Sequence, residues 1–132
     1  MRKNMRTDAP DTEATRLDLV IDVDSIIITN HARDRLNERW DSSCNADSTL
    51  HDALKNGVVE TQNGSLIQEV HGSNPASIAV YIPSNHDLGL SRFILIERDD
   101  DYILVTIYPI EHRYVPWAIS VKLVDDCYLE RW

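Results

Sequence analysis

The sequence predicts an α+β domain in which two short helices pack on an antiparallel sheet of about four to five strands. Apolar residues recur at helical spacing in two segments between residues 31 and 57. Beyond residue 64, β-rich runs alternate with turn-forming residues. A chain of 132 residues suits one hydrophobic core. No apolar run approaches the roughly 20 residues that a membrane span needs.

The first 16 residues, MRKNMRTDAPDTEATR, are polar and predict a disordered N-terminal tail, with residues 17–132 as the single α+β domain. Their basic residues are not followed by an apolar segment, so they do not form a secretory signal. We therefore expect a cytoplasmic protein in which Cys44 and Cys127 are reduced thiols. The two cysteines lie outside any metal-ligand spacing, so we expect no metal and no cofactor.

The first elements are a strand and a helix. Alternating apolar and acidic residues in LDLVIDVD (17–24) predict an edge strand with one solvated face. Asn30 is a favourable N-cap for a helix that begins at His31. Ala32, Leu36 and Trp40 are spaced four residues apart and predict its buried stripe.

A second helix follows a polar loop. Ser48 can cap the segment TLHDALKNG (49–57), in which Leu50, Ala53 and Leu54 face inward. Gly57 stands at the position where a glycine often terminates a helix. This helix is short and amphipathic.

The rest of the chain predicts a sheet, from four β-rich runs: SLIQEVH (65–71), ASIAVYI (76–82), RFILIE (92–97) and YILVTIY (102–108). The last two runs are joined by a short acidic turn and should form an antiparallel hairpin with a solvated tip. A further strand is possible in RYVPWAISVKL (113–123), where Pro116 restricts the first half to an edge or a bulge.

The chain is strongly acidic, with 13 Lys and Arg against 22 Asp and Glu, a formal charge of -9 and a pI near 4.8. Proteins that bind nucleic acid without sequence preference usually present a basic surface, because the affinity comes from neutralised phosphates. Binding to nucleic acid must therefore be local, or the partner is a basic protein surface.

The helix at residues 31–40 carries the candidate catalytic chemistry. His31 at the helix start is favoured as a neutral imidazole, which can act as a general base. Arg35 lies one turn further on, where it can stabilise charge on a phosphate, and Arg39 extends the row. This pair suits metal-independent cleavage of RNA by attack of a 2′-hydroxyl. The alternative is a charged, solvated helix flank with no catalytic role.

Other residues could contact RNA. Tyr108, near the end of a central strand, could orient a phosphate, or lie in the core with its hydroxyl at the rim. Three further histidines lie in turns or at strand ends: His71, His86 and His112. Of these, His71 could line the same cleft, or simply be solvated. Three tryptophans could stack on bases: Trp40, Trp117 and Trp132.

The segment IIITNHARDRLNERW, the short helix ending in ALKNG and the strands up to ILVTIYP resemble the HAxxRxxER domains related to the RelE-type ribonuclease toxins. The resemblance covers residues 26–109 and extends to the RegB endoribonucleases of phages. It implies a RelE-like fold, with His31 as the catalytic histidine and Arg35 as a site arginine. It also implies a second active-site histidine on the following helix, which His51 matches. Toxins and ribosome binders of this kind are usually basic, and this chain is acidic.

Two functions follow as hypotheses. The first is a toxin-like, metal-independent endoribonuclease with His31, Arg35 and His51 as catalytic residues and Arg33, Arg39 and Tyr108 as RNA-binding residues. Its partners would be RNA or ribosome-associated mRNA, and an antitoxin. The second is a non-catalytic acidic module that docks on and inhibits a basic or nucleic-acid-processing protein. For this module the resemblance to RegB implies that a phage encodes it.

Overall fold

The computed structural model describes residues 12–39, 47–83 and 89–119, and in them the chain forms two helices and seven strands. The strands are β1 Thr12–Arg16, β2 Ile27–Ile28, β3 Val58–Gln62, β4 Ser65–Leu66, β5 Ser77–Pro83, β6 Gly89–Arg98 and β7 Asp101–Glu111. The helices are α1 Asn30–Arg39 and α2 Asp47–Lys55. Neither is long and apolar enough to cross a membrane. The α+β class is confirmed.

All seven strands belong to one sheet in the order β1-β3-β5-β6-β7-β2, with β4 paired to β3. Every pairing is antiparallel except that of β2 with β7, which is parallel. The expectation of four to five strands is wrong because it omitted β1, β2 and β3, which are two to five residues long. Their stability comes from pairing with distant segments, which local periodicity does not register.

The predicted boundary between tail and domain at residue 16 is wrong, because β1 (residues 12–16) pairs with β3 along its full length. Thr15 and Thr61 join their hydroxyls across this pair at 2.9 Å. Residues 1–11 lie outside the described residues.

The strand predicted for residues 17–24 is also wrong, because this segment forms two 3₁₀ turns, Leu17–Leu19 and Val23–Ser25. The Leu17 N–H donates to the Gly57 carbonyl at 2.9 Å, and the chain then bends. Leu17 and Val23 are buried while Leu19 is 74% exposed. The alternation of apolar and acidic residues therefore comes from a bent segment that buries a few apolar side chains, and not from a β-strand.

Helix α1 begins one residue earlier than predicted, and its cap is Thr29 instead of Asn30. The Thr29 hydroxyl accepts a hydrogen bond from the Ala32 N–H at 3.1 Å and donates to the Leu104 carbonyl at 2.8 Å. This pair of bonds fixes the start of α1 against β7. Ala32 is buried as predicted. The side chains of Leu36 and Trp40 lie outside the described residues.

Helix α2 confirms the second helix prediction, with Leu50 and Leu54 fully buried and Ala53 packed against the core. Gly57 follows the helix, but its backbone is not left-handed. Glycine is required here by space, since a Cβ atom would lie 2.4 Å from the Val80 Cγ1 atom.

The hairpin of β6 and β7 is confirmed, and Asp99 and Asp100 form its exposed two-residue turn. The strand predicted for residues 113–123 is wrong in its described part. His112–Tyr114 form a 3₁₀ turn, and a helical segment starts at Trp117. Pro116 lacks the N–H that a strand pairing would use.

The sheet has two unlike faces. On the helix face, Val80, Phe93 and Ile107 share a core with α1 and α2. On the opposite face, which we call the far face, Tyr81 and Leu90 pack with the segment after β7. Because side chains alternate along a strand, Arg92 and Tyr108 point to the far face.

Candidate functional site on the far face of the sheet

Three adjacent strands place Tyr81, Arg92 and Tyr108 in one row across the centre of the far face. Tyr81 on β5 is paired with Arg92 on β6, and Arg92 with Tyr108 on β7. Directly opposed side chains on one face of a sheet lie close enough to interact. The row therefore sets a guanidinium between two phenol rings.

The guanidinium of Arg92 contacts every member of this row and one residue beyond it. Its Nη1 donates to the Tyr108 hydroxyl, and its Nη2 lies 2.6 Å from the Glu69 Oε1 atom. Its central carbon is 5.7 Å from the ring centre of Tyr81 and 5.6 Å from that of Tyr108. The Arg92 side chain is only 18% exposed, and its buried Nε has no hydrogen-bond partner among the described residues. A buried donor without a partner is costly, typically about 1–3 kcal/mol.

Glu69 is held in place from the segment between β4 and β5. Its N–H donates to the Ser77 carbonyl at 2.7 Å, and the Ser77 N–H donates back to the Glu69 carbonyl at 2.9 Å. His71, two residues on, places its Nε2 3.4 Å from the Glu69 Oε1 atom. The His71 side chain is 65% exposed, so a ligand in solution can reach the imidazole. We call Tyr81, Arg92, Tyr108, Glu69 and His71 the Arg92 cluster.

A small cleft of about 40 Å³ opens beside the Arg92 cluster. It is lined by Glu60, Ile67, Glu69, Ala79, Tyr81 and Pro116. Since one water needs at least about 10–15 Å³, the cleft accepts a few water-sized groups but not a whole nucleotide. A ligand would therefore insert one small group here and lie mainly across the surface.

Burial raises the pKa of Tyr81 above 10.0, although the neighbouring Arg92 charge acts in the opposite direction. Burial disfavours the charged form of Arg92, but Tyr81, Tyr108 and Glu69 outweigh it and its pKa is raised. At neutral pH the Tyr81 phenol is therefore neutral and stands beside the Arg92 cation.

The sequence-predicted residues on α1 lie on the other side of the sheet. His31 is exposed, Arg35 is half-buried, and Arg33 donates through Nη1 to the Asn30 Oδ1 atom at 3.0 Å. The side chain of Arg39 lies outside the described residues. A catalytic role for this helix stays a prediction.

His51 is half-buried on α2, and its Nε2 lies 2.9 Å from the Ile26 carbonyl oxygen. A carbonyl can only accept, so this bond implies a proton on Nε2. The contact joins α2 to the segment that leads into β2. Tyr108, predicted to bind RNA, lies across the sheet from both helices, in contact with Arg92.

Sequence reasoning missed Arg92, Glu69 and Tyr81. A signal was present for Arg92, because a lone arginine stands among apolar residues in the run LSRFILI. A charged residue inside a buried strand normally has a partner. Nothing local identifies Glu69 as that partner, since the two residues are 23 positions apart.

Comparisons with protein-family models, with curated proteins and with solved structures find no match for the chain. Within the described ranges, no three His, Cys, Asp or Glu side chains are grouped so that they could hold a metal ion.

Proposed function

We propose that the chain is a RelE-like endoribonuclease that cleaves single-stranded RNA in the cytoplasm by general acid–base catalysis, with the Arg92 cluster as its catalytic centre. The observation that supports this proposal is the position of the guanidinium. On one side it meets the Glu69 carboxylate, which also contacts the His71 imidazole, and on the other it meets the Tyr108 phenol.

This order of groups suits an in-line displacement at phosphorus, which needs a proton acceptor and a proton donor on opposite sides of the phosphate. His71 in its neutral form accepts the proton of the ribose 2′-hydroxyl, and Glu69 orients the imidazole. The 2′-oxygen attacks the adjacent phosphorus, and the bond to the 5′-oxygen breaks. Tyr108 donates its proton to that oxygen, so the products carry a 2′,3′-cyclic phosphate and a 5′-hydroxyl.

Arg92 supplies the electrostatic part of the proposed reaction. Negative charge grows on the non-bridging phosphate oxygens in the transition state, and a fixed guanidinium nearby stabilises it. Two rings and a carboxylate already hold the Arg92 side chain, so little reorganisation is needed. The local cation also offers phosphate a place on a chain whose formal charge is -9.

Cleavage of a fluorescently labelled single-stranded RNA in the presence of a chelator tests the proposal. We expect Arg92→Lys to lower the cleavage rate about 10²–10³-fold and His71→Ala about 10²–10⁴-fold. Arg98→Lys is the matched control, because Arg98 is exposed at the hairpin end of the same strand. Unchanged cleavage by both cluster variants, with the circular dichroism of each intact, would overturn this catalytic centre.

The same assay tests the centre predicted on α1. His31→Ala and Arg35→Lys should cleave at the wild-type rate if the Arg92 cluster is the catalytic centre. If these two variants lose activity while Arg92→Lys retains it, the reaction belongs to α1 instead.

A second candidate function is the non-catalytic acidic module that docks on a basic, nucleic-acid-processing protein. Exposed aspartates on α2 and around the 3₁₀ turn that packs against it favour this function, namely Asp52, Asp22 and Asp24. Of these, Asp24 is paired with Lys55 at 3.2 Å. Capture of a basic partner at low salt but not at high salt, by a chain that does not cleave RNA, would select this function.

A further inference from the structure

Beyond the catalytic centre, the segment after β7 presents two exposed aromatic rings beside the cleft. Trp117 is 59% exposed and Tyr114 is 63% exposed. Large aromatic side chains usually bury much of their area, so two exposed rings on one short segment are unusual. We call Tyr114 and Trp117 the aromatic ledge.

The aromatic ledge is anchored to the sheet, because buried residues stand next to the exposed rings in the chain. Val115, Ala118 and Ile119 are 8%, 5% and 0% exposed, and Val115 and Ile119 pack in the far-face core with Tyr81. Tyr81 also belongs to the Arg92 cluster. The ledge and the proposed catalytic centre thus share one core.

The ledge lies at the cleft, since Pro116 is one of the residues that line it. Trp117 is the next residue, and adjacent Cα atoms are about 3.8 Å apart. On the other side of Pro116, the Arg113 guanidinium stands 4.8 Å from the ring centre of Tyr114 and 2.7 Å from the Glu111 carboxylate. A cation that is paired with a carboxylate therefore accompanies the Tyr114 ring of the ledge.

We propose that the aromatic ledge binds an unpaired nucleobase of the RNA substrate, which stacks on Trp117 next to the phosphate at Arg92. A flat ring with a cation close by matches a nucleotide, which carries an aromatic base and an anionic phosphate. The ring planes of base-paired RNA are covered by their neighbours in the duplex, so the ledge selects single strands. The proposal deepens the proposed function and rests on it for the identity of the substrate.

Fluorescence anisotropy with the full chain and a labelled 2′-O-methyl RNA strand tests the ledge without cleavage, because this strand lacks the attacking hydroxyl. We expect Trp117→Ala to weaken binding about 5- to 150-fold, the range for loss of one base–aromatic stack. Trp117→Phe keeps a ring and should retain most of the affinity. Leu19→Ala is the control, since Leu19 is an exposed apolar residue far from this segment in sequence, at 74% exposure.

The outcomes separate the ledge from the catalytic centre. If Trp117→Ala binds within about twofold of the wild type, or if a duplex of the same strand binds equally well, the ledge proposal is overturned whatever the cleavage assay shows. Absence of any binding by the wild type overturns it as well. If Trp117-dependent binding to single strands is found but natural RNA is not cleaved, the ledge is supported and the endoribonuclease proposal fails.

Discussion

The ion pair between Arg92 and Glu69 should stabilise the fold by an amount that a double-mutant cycle can measure. The Nη2 and Oε1 atoms are 2.6 Å apart, and the two side chains are 18% and 35% exposed. Exposed pairs contribute about 0–1 kcal/mol, whereas removing one partner of a fully buried pair costs about 3–5 kcal/mol. Since Glu69 retains contact with water, screening places the expected coupling nearer the lower range, at about 1–2 kcal/mol.

The assay is urea unfolding followed by circular dichroism, applied to wild type, Arg92→Met, Glu69→Gln and the double variant. Arg113 and Glu111 provide a matched control pair, because their contact is 2.7 Å long but their side chains are 65% and 40% exposed. We expect the control coupling to stay below about 0.5 kcal/mol. If the Arg92–Glu69 coupling is no larger than that of the control, Glu69 does not hold the guanidinium. The fixed cation in the proposed reaction would then be lost.

Three further predictions concern the fold. Gly57→Ala should lower the free energy of unfolding by about 1–3 kcal/mol, because the new Cβ would overlap the fully buried Val80. Urea unfolding measures this change. An unchanged midpoint would show that the surrounding side chains move away without cost. Asp100→Gly should raise the free energy of unfolding by about 0.5 kcal/mol, because Asp100 has φ of 70° in the hairpin turn and glycine adopts this conformation without strain. A lower melting temperature of the variant would contradict this reasoning. Burial raises the pKa of Tyr81, so the folded chain binds the phenol proton more tightly than the unfolded chain. The tighter binding stabilises the fold below pH 10.0, and this contribution is lost as the pH rises through the raised pKa. Tyr81→Phe should therefore flatten the decline of stability above that pH, and an identical slope in wild type and variant would refute the linkage.

The local sequence pattern was sufficient to predict the elements whose residues interact mainly with near neighbours in the chain. The spacing of Leu50 and Leu54 predicts α2, and both side chains are buried. The acidic turn predicts the hairpin of β6 and β7, and Asp99 and Asp100 form its tip. Pattern was misleading for residues 17–24, where alternation arose from a bent segment anchored at Leu17.

The candidate site could not be predicted from the sequence, because its residues become neighbours only through the register in which the strands pair. Near the hairpin turn, Leu95 on β6 is paired with Leu104 on β7. Further from the turn, the next pair is Ile94 with Thr106, so Val105 has no partner on β6 and forms a β-bulge. Without this bulge, Arg92 would be opposed to Ile107 instead of Tyr108. The shift by one residue brings the phenol to the guanidinium.

The amino-acid sequence by itself determined the α+β class, the two helices and the central hairpin, because each depends on residues a few positions apart. Only the tertiary structure decided that Tyr108 belongs with Arg92 and Glu69 on the far face and that β1 extends the sheet. The physical reason is that these contacts depend on one bulge and on pairings between segments distant in the chain. Neither leaves a periodic trace in the residues involved.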